Sequence, residues 1–352
     1  MWRSVSFVLL AWLFAAAQER PNVPAYWAEH IRHSPDGRLL AVGKYPQGFQ
    51  LWEVKTGRLL NTVPDLFVQG IGWSPDGKRL AVNAAERRKA GSARLEIRDP
   101  MGAAAVQTFR LAAADQYFDP QPQWSPDGRQ IAVRTSHGAA VLNPASGQWT
   151  AISEPGTDGQ KPSRFTGGLS WGPDSRRLAL VAGDRESDAI DIWDIARMAI
   201  DRSIPAWQKT GGDLDNTPQN SEVAWSADGR WLALSSRFRY LSVWDARAEK
   251  PAFRSFEKSN MESLSWSADS RLLQVGTFYQ VRFLRPKDGT IVYVLQDMGR
   301  PFRKVSVSPQ GNEAAGAELD ATVVFWRGRR GIPAARLLPD GSGNWRLSAS
   351  PR

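Results

Sequence analysis

A short hairpin-turn sequence that returns seven times along the chain constrains the fold more than any other feature. In the copy Ser74-Pro75-Asp76-Gly77, proline pre-sets φ for the first corner of a type I turn, and aspartate can hydrogen-bond to the local backbone. Glycine takes the left-handed position that closes the turn. The copies begin at Ser34, Ser74, Ser125, Gly172, Ser226, Ser267 and Ser308. Each turn of this kind joins two antiparallel strands, so the chain is predicted to contain seven hairpins.

Residues at fixed offsets from these turns predict strands that are buried on both faces. Six residues after the starts lie Leu40, Leu80, Ile131, Leu178, Leu232, Leu273 and Ala314, and seven residues after lie Ala41, Ala81, Ala132, Ala179, Ala233, Gln274 and Ala315. Because neighbouring residues of a strand point to opposite faces, a large residue faces one side and a small residue the other. The small residue lets a neighbouring sheet approach closely.

A third strand is predicted further along the repeat, where copies end in a tryptophan or a similar residue followed by a charged one. These endings are Leu51-Trp52-Glu53, Ile97-Arg98-Asp99, Ile192-Trp193-Asp194, Val243-Trp244-Asp245 and Phe325-Trp326-Arg327. Another tryptophan, or His33 in the first copy, stands directly before most of the turns. We interpret these residues as packing between neighbouring repeats.

These features resemble the WD40 repeat family of β-propellers, whose repeat carries a Ser-Pro-Asp-Gly-like turn between its first two strands and Trp-Asp at the end of its third. The chain is similar to divergent, bacterial-type, exported members, and distantly to the propeller of the periplasmic Tol system. The Gly-His dipeptide of the family is missing, since His30 and His33 lie only four and one residues before Ser34. The resemblance implies an all-β fold, a seven-bladed β-propeller of four-stranded antiparallel blades over residues 18–339.

The two ends of the chain are expected to lie outside the propeller. Arg3 precedes an apolar run over residues 5–17, which is typical of a cleaved secretory signal. The run is shorter than the roughly 20 residues that a membrane anchor needs. Residues 1–17 are therefore predicted to be a signal peptide, with a periplasmic or extracellular location and no transmembrane segment after cleavage. Residues 340–352 are predicted to be a C-terminal tail.

Composition limits the chemistry and the partners. The chain has no cysteine, which excludes disulfides, thiol catalysis and cysteine metal sites. Its formal net charge is +9, without a run of five basic residues. For an exported protein this charge favours an acidic protein or an anionic envelope component over nucleic acid. We expect a monomer without a cofactor.

The extra length of the repeats is predicted to lie at one end of the ring. The starts of successive turns are 40 to 54 residues apart, and the excess lies in residues 84–92, 112–122, 153–168 and 207–220. In an up-and-down blade, loops between the second and third strands emerge at the same end as the connections between blades. We call this end the long-loop face, and the end that carries the Ser-Pro-Asp-Gly turns the turn face. Variable loops on a rigid scaffold are where binding sites are usually built.

Basic and aromatic residues alternate along the predicted long-loop face. The candidates for partner binding are Tyr45, Arg87, Arg88, Tyr117, Phe118, Trp207, Arg237, Arg239, Tyr240, Phe278 and Tyr279. Tyr, Trp and Arg dominate the residues that carry most of the binding energy in interfaces. On the turn face the aspartates and the bases that follow them cancel in charge, which is typical of turn chemistry on a solvated rim.

Patterns typical of enzymes or metal sites are weak. Residues 168–172 match the Gly-x-Ser-x-Gly nucleophile pattern, but the repeat places Ser170 in a first strand with no helix after it. A calcium site could form from Asp213, Asp215 and Glu222, although the loop lacks the glycine and the terminal glutamate of an EF-hand, so a solvated turn is the alternative. His137, alone in its loop, cannot build a metal site or a triad by itself.

The sequence thus favours an exported, non-enzymatic propeller that binds a protein through its long-loop face. One alternative is a propeller hydrolase or lactonase with an acid or calcium site in the central channel. Another is a propeller that binds glycans or peptidoglycan. For closure of the ring, three segments are candidates: residues 23–27, residues 345–348, and residues 335–338, of which the last is predicted to complete blade seven alone.

Overall fold

The computed structural model of the protein describes residues 27–45, 48–85, 93–110, 121–135, 138–153, 165–183, 187–208, 222–235, 240–256, 261–296, 301–318, 322–328, 333–339 and 345–349. Every regular element within these ranges is a β-strand. The described part of the chain accordingly contains no helix that is long and apolar enough to cross a membrane.

The strands form seven antiparallel sheets in chain order. Blades one to three are β1 (Trp27–His33), β2 (Leu39–Tyr45), β3 (Phe49–Glu53), β4 (Arg58–Val63); β5 (Phe67–Trp73), β6 (Leu80–Ala85), β7 (Arg94–Arg98), β8 (Ala105–Arg110); and β9 (Gln123–Trp124), β10 (Ile131–Thr135), β11 (Gly138–Asn143), β12 (Gln148–Ser153). Blades four and five are β13 (Phe165–Trp171), β14 (Arg177–Gly183), β15 (Ser187–Asp194), β16 (Ala199–Gln208); and β17 (Glu222–Trp225), β18 (Trp231–Ser235), β19 (Tyr240–Asp245), β20 (Lys250–Phe256). Blades six and seven are β21 (Met261–Trp266), β22 (Leu273–Thr277), β23 (Gln280–Leu284), β24 (Ile291–Gln296); and β25 (Phe302–Val307), β26 (Glu313–Glu318), β27 (Val323–Arg327), β28 (Ala335–Pro339), β29 (Trp345–Ala349).

The predicted all-β, seven-bladed propeller is confirmed. Blades one to six have four strands each, paired in the order of the chain, and the sheet of blade seven has five. Strand β1 of blade one packs against β25 and β26 of blade seven, so the last blade meets the first. Seven clusters of buried apolar side chains lie between neighbouring blades, and the fixed alanine of the second strand is fully buried in blades one to five.

The repeated turn is held by the same hydrogen bonds wherever its serine and aspartate are present. In blade two the Ser74 hydroxyl donates to Asp76 Oδ1 at 2.6 Å and accepts from the Arg79 N–H at 2.9 Å. The N–H of Lys78 also donates to Asp76 Oδ1, at 3.0 Å. The Ser74 hydroxyl, followed by this N–H, holds the pKa of the Asp76 carboxyl below its ordinary value. Gly77 has φ of 70°, as a left-handed turn residue should.

Successive turns contact one another around the mouth of the ring. Proline packs against the turn glycine of the next blade at Pro35 with Gly77, Pro75 with Gly128 and Pro173 with Gly229. Elsewhere a hydrogen bond makes the contact: Asp127 N–H to Ser175 Oγ at 3.0 Å, Asp228 N–H to Ser270 Oγ at 3.1 Å, Ala268 N–H to the Pro309 carbonyl at 2.6 Å, and Gln310 Nε2 to the Pro35 carbonyl at 3.3 Å. Each of the seven junctions between blades therefore has a turn-to-turn contact.

In two of these turn-to-turn contacts, a serine stands in place of the usual turn glycine. Ser175 and Ser270 have φ of 57° and 58°, a conformation that costs a non-glycine residue about 1 kcal/mol or more. Their hydroxyls are the groups that accept the hydrogen bonds from the preceding blade. The contact between blades offsets the local strain.

The tryptophans before the turns join neighbouring blades, as predicted. The indole N–H of Trp73 donates to the Arg32 carbonyl at 3.1 Å, and that of Trp171 donates to the Gln123 carbonyl at 3.0 Å. Trp266 donates in the same way to the Ala224 carbonyl, also at 3.0 Å. In each pair the acceptor lies two residues before the turn of the preceding blade. The hydrogen bond therefore fixes the position of one blade relative to the next along the axis of the ring.

His33, which takes the place of these tryptophans in blade one, joins the two ends of the ring. Its backbone N–H donates to Ser306 Oγ of blade seven at 3.0 Å, and its ring Nδ1 lies 2.9 Å from the same oxygen. The side chain is buried, as the prediction of a packing role requires. Burial lowers the pKa of His33 to about 3, so the ring is neutral at ordinary pH.

Blade seven also contributes a fifth strand to the closure of the ring, although its fourth strand was predicted to complete the blade alone. Strand β28 completes four strands, as predicted, but β29 pairs with it as a fifth, inside the segment 340–352 assigned to a tail. Trp345 is only 4% exposed in the core shared by blades one and seven. Leu347 covers Gly57 in the last turn of blade one. The Arg327 guanidinium donates to the carbonyls of Val54 and Lys55 at 2.7 and 2.6 Å.

Replacing Trp345 with alanine tests whether the fifth strand supports closure. We expect Trp345→Ala to lower the free energy of unfolding by about 3–5 kcal/mol, because it removes a large buried side chain from the seam. Val106→Ala serves as the control, since Val106 is 54% exposed on an outer strand and should cost within about 0.5 kcal/mol. Urea denaturation of both variants measures the difference. Equal stability of the two variants would show that β29 is dispensable.

Gly72 should not tolerate even a methyl group. It lies two residues before the turn of blade two, and a Cβ there would run into the backbone carbonyl oxygen of Pro122 in blade three. We expect Gly72→Ala to cost about 1–3 kcal/mol of unfolding free energy, measured by denaturation, because the blades must separate to admit it. Ala224 holds the equivalent position in blade five, where a methyl group is already accommodated. Wild-type stability of Gly72→Ala would mean that blades two and three are not in this close contact.

The buried His33 should make the protein sensitive to mild acid. Its pKa is about 3 in the folded protein against 6.5 when unfolded, so below about pH 6.5 only the unfolded chain binds the proton. Stability should therefore fall by about 1.4 kcal/mol for each pH unit between those two values. In His33→Gln this contribution is absent. We expect the stability difference between wild type and His33→Gln to shrink as the pH falls from about 7 to about 4.5. A difference independent of pH would contradict the buried neutral ring.

Candidate functional site

The sequence-predicted binding residues divide into three groups in the structure. Arg87, Arg88, Tyr117, Phe118, Arg237 and Arg239 lie outside the described residues, as do Asp213, Asp215 and His137. The backbones of Tyr45 and Trp207 belong to the ends of β2 and β16. Tyr240, Phe278 and Tyr279 are described with their side chains, and they lie on two neighbouring blades, five and six.

Phe278 and Tyr279 form the short connection between β22 and β23 at the long-loop face. Their ring centroids are 6.4 Å apart with the planes at 77°, an edge-to-face contact. Tyr279 is 53% exposed, whereas Phe278 is partly covered. The Thr277 hydroxyl donates to the Gln280 carbonyl at 3.1 Å across this connection. Tyr279 is therefore presented to solvent on a hydrogen-bonded turn.

Blade seven, the neighbouring blade, holds this turn through a backbone hydrogen bond. The backbone N–H of Phe302, at the start of blade seven, donates to the Phe278 carbonyl at 2.6 Å. Phe302 is fully buried and meets the Trp326 ring edge-to-face, with centroids 5.4 Å apart. Because this contact lies in the core between blades six and seven, the backbone next to the exposed tyrosine is held by closely packed, buried side chains.

Tyr240 occupies the corresponding end of blade five. It is the first residue of β19 and pairs across the sheet with Phe256, the last residue of β20. The phenol is half-buried, and this burial raises the pKa of Tyr240, against a smaller opposite effect of the nearby Arg254. The hydroxyl is consequently a neutral hydrogen-bonding group.

Sequence reasoning missed Phe256, which is 68% exposed. It belongs to the fourth strand of blade five, whereas the predicted binding residues lie in or beside the loops between strands. A large aromatic residue at the end of the outer strand of blade five was the available signal. Together, Tyr240, Phe256, Phe278 and Tyr279 are called the blade five–six aromatics below.

The predicted enzyme-like and metal-like residues have roles between blades. Ser170 lies in β13, as the repeat predicts, and its Oγ accepts the backbone N–H of Trp225 in blade five at 2.9 Å. Glu222, the described member of the calcium candidate, lies on β17 and accepts the Leu264 N–H of blade six at 2.8 Å through Oε2. Within the described ranges, no group of three or more His, Asp or Glu side chains could hold a metal ion.

Comparison with known proteins bears on the fold. No protein-family model matches the chain, and no curated protein matches its sequence. Among solved structures, a chain of Kuenenia stuttgartiensis hydrazine synthase is similar, with a TM-score of 0.67 and 15% sequence identity, over 88% of this chain and 97% of that chain. The chain is a seven-bladed β-propeller. At this identity the likeness carries the fold alone, because one propeller architecture serves many unrelated functions.

Proposed function

We propose that this protein is an exported, non-enzymatic propeller of the WD40 type that binds a protein partner through its long-loop face. The proposed centre of the binding surface is the blade five–six aromatics. The observation that carries it is the exposure of Phe256 and Tyr279, at 68% and 53%, on neighbouring blades at the same end of the ring.

Exposed aromatic rings on a rigid base suit partner binding for an energetic reason. Burying such a ring removes a large apolar area from water, while a tyrosine has few rotatable bonds to immobilise. The Phe302 contact already fixes the backbone under Tyr279, so little conformational entropy remains to be lost on binding. Residues of this kind carry most of the energy in many interfaces.

The charge near these aromatics favours an acidic partner. Arg254 lies on β20, two residues before Phe256, and the sequence places Arg237 and Arg239 just before Tyr240. The formal net charge of +9 would add a long-range attraction to an acidic surface. This would raise the rate of association, and salt would weaken it.

A non-enzymatic role is supported by what the motif-like residues do. The hydroxyl of Ser170 and the carboxylate of Glu222, which suggested a hydrolase and a calcium site, are engaged in hydrogen bonds that join neighbouring blades. The proposal includes export by way of residues 1–17 and a monomeric ring.

The double variant Phe256→Ala/Tyr279→Ala tests the proposal. The wild-type protein and the variant are immobilised at equal density, and the proteins that each captures from an envelope extract are quantified by mass spectrometry. The captured partner is then purified and titrated against both proteins. We expect at least about tenfold weaker binding, because two hot-spot rings typically contribute more than 1 kcal/mol each. The melting temperature should change little, since exposed positions cost within about 0.5 kcal/mol each.

Two controls separate the site from general attraction. Leu59→Ala/Val106→Ala removes exposed apolar side chains from the outer strands of blades one and two. Arg38→Ala/Arg271→Ala removes charge from the turn face. Both should retain wild-type binding. Equal loss in the charge control would indicate non-specific attraction, and unchanged binding by the aromatic variant would place the interface elsewhere.

A further inference from the structure

A cleft lies on the turn face, between blades two and three. Its volume is about 880 Å³, and its polar and aromatic lining includes Asp76, Arg79, Trp124, Asp127, Arg129 and Asn143. A smaller cleft of about 460 Å³ between blades one and two shares Asp76 and Arg79 with it. The volume of the larger one is within the range of pockets that bind small ligands, roughly 300–1,000 Å³.

An irregularity in blade three distinguishes this junction. The first strand of that blade, β9, has only two residues, whereas the first strands of the other blades have four to seven. Trp124 ends it, and its indole N–H has no hydrogen-bond partner within the described residues. The equivalent Trp73, Trp171 and Trp266 all donate to the preceding blade, and Trp225 donates to the Gly229 carbonyl of its own turn at 3.3 Å. The Trp124 ring instead lines the cleft, above the buried Ile97.

The backbone of the cleft walls is already hydrogen-bonded within its own turns. Ser74 N–H donates to the Arg79 carbonyl at 2.9 Å, and Gly77 N–H to the Ser74 carbonyl at 2.9 Å. In blade three, Gly128 N–H donates to the Ser125 carbonyl at 2.8 Å. A peptide that binds by adding a strand needs unpaired backbone groups, and these turns do not offer them.

A ligand in this cleft must therefore be recognised by the polar ends of side chains. The turns hold several of these side chains in place. Asp127 Oδ1 accepts the Ser125 hydroxyl at 2.6 Å, which leaves Oδ2 as an acceptor, and Asp76 is bonded in the same way. Asn143 Oδ1 accepts the Ala145 N–H at 3.0 Å, so the amide NH2 is its remaining donor. Arg79 and Arg129 bring two positive charges to the same lining, and Arg79 Nη1 also lies 3.4 Å from Asp99 Oδ2 beside the cleft. A site of this composition suits a polar ligand without net charge.

We propose that this cleft binds a neutral saccharide. A pyranose has an apolar C–H face that can lie on the Trp124 ring and on the proline rings of the two turns, Pro75 and Pro126. Its hydroxyls can donate to the second carboxylate oxygens and accept from the Asn143 amide and the guanidinium groups. This site is on the opposite face from the blade five–six aromatics, so it does not depend on the proposed protein interface.

The test begins with the full chain on an array of neutral hexose and N-acetylhexosamine oligosaccharides, with sialylated glycans and a peptide array as comparison arms. The neutral saccharide that binds best is then titrated by calorimetry. We expect Asn143→Asp, which keeps the turn-capping oxygen and replaces the donor, to weaken binding about tenfold or more. Trp124→Phe, which keeps an aromatic ring in the seam, should also weaken it.

Arg129→Ala and Arg271→Ala form the matched pair, since both arginines lie four residues after the start of their turns, in blades three and six. Only Arg129→Ala should reduce affinity. Circular dichroism and melting curves confirm that each variant is folded. The proposal is overturned if no neutral saccharide binds, if Asn143→Asp and Arg129→Ala keep wild-type affinity, or if a sialylated glycan or a peptide is the ligand lost in these variants.

Discussion

The structure depends on the contact between successive turns at the mouth of the ring. Where both residues are present, the turn is closed by its own serine and aspartate, and every turn then meets the turn of the next blade through a proline ring or a hydrogen bond. A turn-to-turn contact of one of these two kinds is present at every junction, so each blade is held against the next around the whole closed ring. Where serine replaces glycine, at Ser175 and Ser270, its hydroxyl makes the contact itself.

Closure of the ring leaves the strands of the blades little conformational freedom, and what freedom there is remains mainly in the loops at the ends of the strands. The seams hold small residues in fixed register, and Gly72 shows how little space remains between blades two and three, since the Pro122 carbonyl occupies the place of a side chain. A ring packed in this way can present exposed aromatics such as Phe256 and Tyr279 without loss of stability, because the folded state does not rely on them. The same packed ring carries a cleft on the turn face between blades two and three.

The two faces offer different chemistry. At the long-loop face, aromatic rings stand on a buried base formed by Phe302 and Trp326, with arginines nearby, which suits a broad protein surface. At the turn face, carboxylate, amide and guanidinium groups surround Trp124 in a concave site of balanced charge, which suits a small polar ligand. Both surfaces follow from one repeat, since its long and short connections emerge at opposite ends.

The sequence by itself determined the seven turns, the order of the strands, the alanines of the seams and the packing role of the tryptophans, because these follow from local backbone preference repeated at a fixed period. It also placed Tyr279 on the long-loop face. The tertiary structure alone decided the fifth strand around Trp345, the exposure of Phe256 and the cleft beside Trp124. Each of these depends on residues distant in the chain: blade one covers Trp345, Phe256 is 68% exposed at the end of an outer strand, and the turns of blades two and three together wall the cleft beside Trp124. A local pattern does not encode such distances between blades, since they result from the closure of the whole ring.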